Sequence, residues 1–203
     1  MFKEPITAIT DTIIFLLEYT LAIILITLYV SGIRPAGLHR LIWGCFFFAN
    51  GLGASFGIIT HGLDLSKKWD TIWSKVTISI LGISMYFLIM GAINLYSSEL
   101  APKVFYMPLI YLALYLIIVF FRYHFLIFVI YSFVGIIVSL VFYFMSLSNG
   151  MPVYLIIAGL FISILAGMTQ GLKIKLPPLN HNDLFHVIQI AGILTVFAGI
   201  ILI

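Results

Sequence analysis

The chain has 203 residues, of which 63% are hydrophobic and 8% charged, and its formal net charge is +3 at pH 7; its mean hydropathy is +1.22. A water-soluble domain carries about a quarter charged residues, so the composition excludes one and predicts an integral membrane protein. The few Lys and Arg residues are scattered at the ends of apolar segments and form no basic patch for nucleic acid.

The opening MFKEPITAITD lacks the basic, apolar, small-residue layout of a cleaved signal peptide, and Glu4 and Asp11 argue against a transit peptide. The first apolar segment is expected to act as its own insertion signal. A spanning helix needs about 20 mostly apolar residues. Seven segments meet that requirement, over Thr12–Val30, Leu38–Leu63, Thr71–Tyr96, Val104–Phe121, Phe125–Leu147, Met151–Leu172 and Asp183–Ile203. The expected fold class is therefore an all-α, seven-transmembrane helix bundle in a single domain over residues 1–203.

The breaks between spans are readable as Gly, Pro and charge: SGIRPAG, DLSKKWD, SSELAPK, FRYH, SLSNGMP and KIKLPPLN. The FRYH corner is so short that the fourth and fifth spans should be antiparallel neighbours. Pro108, near the start of the fourth, is expected to kink it. Counting loops and helix ends, Lys3, Lys67, Lys68, Lys75, Arg122, Lys173 and Lys175 share one side, against Arg34, Arg40 and Lys103 on the other. The positive-inside rule then puts the N-terminus in the cytoplasm and the C-terminus outside. A bacterial inner membrane is the expected location, and no internal repeat favours an inverted-repeat transporter.

Ionisable groups inside a membrane are costly and usually face the bundle or a water-filled cavity. Here they are few. Glu18 lies midway along the first span and shares a face with Asp11, seven residues earlier; it reads either as a carboxyl hydrogen-bonded in the bundle or as part of a proton or cation path. His61 ends a second span rich in small residues, Gly51, Gly53, Ala54, Ser55 and Gly57, which let helices approach closely. Asp70 and Lys75 open the third span; Lys75 either pairs with Asp70 or snorkels to the headgroups. Cys45 is the lone cysteine and reads as a buried, inert thiol.

The seventh span opens on LNHNDLFHVIQIAG. Residues three or four apart share a helix face, so His186 lies with Asn182 and Asp183 below it and Gln189 above it. Asn182 and His186, or Asp183 and His186, are spaced to converge on one ion. Asn180 and Asp183 also have the spacing of an N-cap and its capping-box partner, and His181 fits either a headgroup contact or a metal site. His61 should lie at the depth of His186. Zinc prefers His nitrogen, and a catalytic zinc has three protein ligands and a water whose pKa it lowers to about 7; Asp70 or Asp64 would hold that water or take its proton.

Seven spans, His61 ending the second, Asp70 opening the third and NDLFHV opening the seventh resemble the CREST superfamily, which includes the alkaline ceramidases, the progestin and adipoQ receptors and the haemolysin III-like proteins. The resemblance implies zinc held by His61 and His186. The family's second helix-seven histidine falls at Asn182, which leaves the third ligand among His181, Asp183 and Asn182. The family's serine on helix two falls at Gly57, with Ser55 nearby. The implied activity is hydrolysis of a lipid amide or ester, with Asp70 handling the proton, His61, His186, His181 and Asp183 as candidate zinc ligands, and Asn182, Ser55 and Gln189 supporting them. Membrane lipids are the expected partners, a lipid the expected substrate; the oligomeric state stays open.

The alternatives are a non-catalytic receptor or structural protein of the same fold, a haem protein with His61 and His186 as axial ligands, and a transporter using Glu18. A retinal protein is disfavoured because the seventh span has no lysine for a Schiff base.

Overall fold

The computed structural model describes residues 3–32 and 37–203, and it is helical almost throughout. Helix α1 (Pro5–Ser31) has proline in its first turn and stops at Gly32, whose φ of 62° is left-handed and whose N–H bonds the Tyr29 carbonyl. It is followed by α2 (Leu38–Gly62), α3 (Lys67–Tyr96), the single turn α4 (Ala101–Val104), α5 (Tyr106–Phe121), α6 (Phe125–Met145), α7 (Met151–Gly171) and α8 (His181–Leu202). Seven segments, with α4 and α5 counted as one, are long and apolar enough to cross a membrane. The side expected for Arg34 concerns a residue outside the described ones.

Three boundaries differ from expectation, each for a physical reason. Helix α1 begins at Pro5, seven residues before Thr12, because partners on other helices satisfy the polar groups of its first turns. Helix α3 begins at Lys67, so Lys67, Lys68 and Asp70 are already helical. The fourth span is broken at Phe105 between α4 and α5. Pro108 has no N–H to give the Val104 carbonyl four residues back, and the ladder fails there.

Six helices close into a ring in which each touches the next, in the order α1, α2, α3, α6, α7, α8 and back to α1. Helix α5 stands outside, against α3 and α6. Three stacked tyrosines fasten it: Tyr115 and Tyr111 lie 4.0 and 4.5 Å from the Tyr131 ring. The Tyr115 hydroxyl donates to the Ile78 carbonyl at 2.8 Å, and that of Tyr131 to the Gly82 carbonyl at 3.1 Å. A Cβ on Gly82 would collide with the Tyr115 ring.

Between helices in lipid, packing and hydrogen bonds replace the hydrophobic effect as the attractive force. The small residues of α2 serve that packing. A Cβ on Gly51 would meet the Tyr19 ring at 2.8 Å, and one on Gly53 the Leu81 side chain. Fully buried Glu18 accepts from the Asn50 amide at 2.6 Å, and Asn50 accepts from Ser84 at 3.3 Å. Glu18 is thus hydrogen-bonded inside the bundle through Oε1, joining α1 to α2, while its Oε2 has no partner among the described residues. Lys75 donates to the Phe120 carbonyl at 3.0 Å, near the end of α5, and not to Asp70. Cys45 is half-buried, not fully enclosed.

Candidate functional site

Glu4, Thr7, Asp11 and Glu18 fall on one stripe at the start of the chain, spaced by three, four and seven residues. The lower part of that stripe meets the start of α8. Asn180 caps α8, accepting from the Asn182 and Asp183 N–H groups at 2.7 and 3.0 Å, and Asp183 Oδ2 returns the bond by accepting from the Asn180 N–H at 2.8 Å. The capping box read from the sequence is therefore complete. Asp183 Oδ1 accepts from the Thr7 hydroxyl at 2.6 Å, so both oxygens of this buried carboxyl are committed.

One turn further on, His186 Nδ1 lies 2.8 Å from the Thr10 hydroxyl, and that hydroxyl donates its only hydrogen to the Thr7 carbonyl at 2.9 Å. Thr10 must then accept, and Nδ1–H must donate. In the neutral ring the lone pair is left on Nε2, 3.4 Å from Asp11 Oδ1. Asp11 is 4% exposed, and its Oδ2 has no hydrogen-bond partner among the described residues. Room for its carboxyl comes from Gly57, where a Cβ would sit 2.9 Å from both oxygens.

The His61 ring lies 6.4 Å from that of His186, the shared depth expected of them. Its Nδ1 is 3.2 Å from Glu4 Oε2, close enough for an ion pair but without hydrogen-bond geometry. The Glu4 N–H bonds the His61 carbonyl at 2.9 Å, tying the start of α1 to the end of α2. Burial by itself would raise the Glu4 pKa; the Asn182 amide, His61, Thr7 and Lys3 outweigh it and hold the carboxyl below its ordinary range.

Asp11, His61 and His186 form the polar end of a cavity of about 610 Å³ inside the helix ring. All six ring helices line it and α5 does not; the walls are apolar, among them Ile14, Ala54, Met85, Leu160 and Phe185. Ile130 and Phe133 of α6, Met168 of α7 and Leu172 just past its end line it and are also exposed on the outer surface. The cavity therefore opens sideways between α6 and α7, which touch over the shortest stretch of any neighbouring pair in the ring.

A family model, the family of unknown function DUF6962, matches residues 6–203. The chain belongs to that family. No curated protein and no solved structure matches it. The match takes in Thr7, Thr10, Asp11, His61 and His186, and begins just after Glu4.

In this DUF6962 chain the residues singled out from sequence separate into two groups. His61, His186 and Gln189 line the cavity, the last donating to Ser163 at 3.4 Å. The others do not. His181 is the first residue of α8, five positions from His186. Asn182 donates to Glu4 at 3.0 Å and accepts from Gln170 at 3.2 Å. Asp70 pairs with Lys3 at 3.1 Å, and Ser55 bonds back to the Leu52 carbonyl at 2.7 Å. Among the described residues no three His, Cys, Asp or Glu side chains converge as the ligands of one metal ion. Both oxygens of Asp183 already accept hydrogen bonds, so Asp183 does not stand free as the third ligand of the expected zinc set. The residues missed are Glu4, Thr7, Thr10 and Asp11 in their role toward α8. Their signal was a stripe of four polar residues, Glu4, Thr7, Asp11 and Glu18, on one face of an otherwise apolar helix.

Proposed function

We propose that this protein is a multi-pass membrane protein that takes one lipid chain into its helix ring and presents the lipid's head to Asp11, His61 and His186. The observation that carries this reading is the cavity itself: apolar along its walls, polar at one end, and open sideways between two helices. At about 30 Å³ per heavy atom, the volume share of a water in the liquid, roughly 20 heavy atoms fill it, enough for one long chain and too few for two. The Lys and Arg bias supports an N-terminus in the cytoplasm, in a membrane that we take to be a bacterial inner one; the polar end would then lie near the cytoplasmic face. The chain would enter between α6 and α7.

The test is native mass spectrometry of gently released protein. The expected result is one single-chain amphiphile per protein. Gly167 lines the cavity and has open space at its Cβ position, so Gly167→Phe should fold normally and lose the bound lipid. Equal lipid content in both proteins would overturn the reading.

Zinc-dependent hydrolysis of a lipid amide or ester, the activity of the CREST resemblance, is a second reading. One observation favours it: His61 and His186, from different helices, meet on the wall of a lipid-sized cavity. Metal analysis of protein purified without chelator and supplied with zinc decides it, and bound metal lost in both His61→Ala and His186→Ala is the supporting result. A haem on the same pair would show a Soret band.

A further inference from the structure

The polar end of the cavity has a definite electrostatic character. Among the described residues, no Lys or Arg lines it. Its one carboxyl, Asp11, is almost fully buried and has an oxygen without a hydrogen-bond donor. A further carboxyl, Glu4, stands 3.2 Å from His61. At this end of the bundle Lys3 is paired with Asp70 and Lys75 donates to the Phe120 carbonyl.

Thr10 fixes His186 with its proton on Nδ1, so the neutral ring turns an acceptor toward Asp11 Oδ1 at 3.4 Å. With Asp11 ionised and the ring neutral, two acceptors face one another at 3.4 Å on the cavity wall. A buried polar group without a partner is costly; a proton held between the two relieves that pair, and a donor with several N–H bonds relieves the pair and Asp11 Oδ2 together. An anionic head, such as a carboxylate or phosphate, would bring a third acceptor and a like charge.

Building on the lipid-chain reading, we infer that the ligand's head is a primary amine: a single-chain lipid whose ammonium bridges Asp11 and His186 Nε2. Its N–H groups would donate to the unpartnered Asp11 oxygen and to the imidazole lone pair. The ammonium charge would compensate the carboxylate, and the chain would run along the apolar wall toward Leu160. Gly57 is the enabling residue on α2, because any side chain there would displace the Asp11 carboxyl from the gap.

The experiment compares three probes of equal chain length, hexadecylamine, hexadecan-1-ol and hexadecanoic acid, each titrated into the full-length protein in detergent at neutral pH. Removing one partner of a buried hydrogen-bonded charge pair costs about 2–5 kcal/mol, so the amine should bind at least about thirtyfold tighter than the acid. The amine-to-alcohol affinity ratio should collapse toward one in Asp11→Asn. Should that variant elute aggregated, Asp11→Ser and His186→Gln serve the same purpose. Binding of the acid as tightly as the amine would overturn the inference and leave the lipid-chain reading standing. So would an amine preference unchanged in a folded Asp11 variant, or tightly held zinc that the amine fails to displace. If none of the three probes binds, the lipid-chain reading itself fails.

Discussion

His186 Nε2 of α8 and Asp11 Oδ1 of α1 lie 3.4 Å apart, although 174 residues separate them in the chain. Neither position is set by the pair alone. Thr10 orients the imidazole through Nδ1, and Gly57 leaves the space that the carboxyl occupies. The arrangement thus depends on residues of three helices, and a change in any of them should be felt at the others.

Thr10 offers the most direct test. In Thr10→Val the Nδ1–H of His186 loses its acceptor in a buried site, which should cost about 1–3 kcal/mol. Thr10→Ser keeps the hydroxyl and should stay within about 1 kcal/mol of wild type. Thermal unfolding in one detergent, followed by circular dichroism, compares the three proteins. Equal melting temperatures for the valine and serine variants would mean that the hydroxyl does not hold the ring.

Acid should loosen the N-terminal end through Glu4. Its carboxyl is held below the ordinary value of about 4.3. Between that value and the lower folded one, the unfolded chain binds more protons than the folded chain, so stability falls as pH falls. The contribution is complete above the ordinary value and gone below the folded one. Wild type should therefore lose melting temperature across this window, and Glu4→Gln should lose less. Parallel curves for the two would remove Glu4 as the cause.

A coupled effect is expected at Glu18 and Asn50. Asn50→Leu leaves a fully buried carboxyl without its amide donor and should cost roughly 3 kcal/mol or more. Replacing both, in Glu18→Leu with Asn50→Leu, removes the orphaned group and should recover most of the loss. The double-mutant cycle reads this coupling from melting temperatures; additive losses would show that the two residues act separately.

The attachment of α5 should depend on the space at Gly82. Gly82→Ala places a Cβ inside the Tyr115 ring and should cost about 1–3 kcal/mol by overpacking. Tyr115→Ala removes the ring, and adding Gly82→Ala to that variant should then cost little. An undiminished cost in the Tyr115→Ala background would mean that α5 is held elsewhere.

Orientation is tested by tags. One before Met1 should be reachable only from the cytoplasmic face and one after Ile203 only from the outer face, as expected for an odd number of crossings with the observed Lys and Arg bias. Both tags on one side would contradict the reading of seven crossings.

Much of the bundle was legible because membrane spans announce themselves by composition. Runs of about 20 apolar residues bounded by Gly, Pro and charge have few other outcomes, and five of the seven helix starts fall within two residues of expectation when α4 is set aside. The capping box at Asn180 and Asp183 was legible for the same reason, since its bonds reach only three residues along the chain. The start of α1 was not. Glu4, Thr7 and Asp11 make its first turns look too polar to lie in a span, and only the facing residues of α2 and α8 make them affordable.

The sequence by itself determined the all-helical class of the molecule, its seven segments long and apolar enough to cross a membrane, and the placing of His61 and His186 at ends of two such segments, because each follows from local hydropathy and helical period. Tertiary structure alone decided which helices close the ring, that α5 stays outside it, and that Asp11 rather than His181 or Asp183 stands beside His186. A side chain's periodicity fixes the face it occupies on its own helix. Which helix that face meets depends on close approach at residues such as Gly57 and Gly82, and on hydrogen bonds that join residues far apart in the chain.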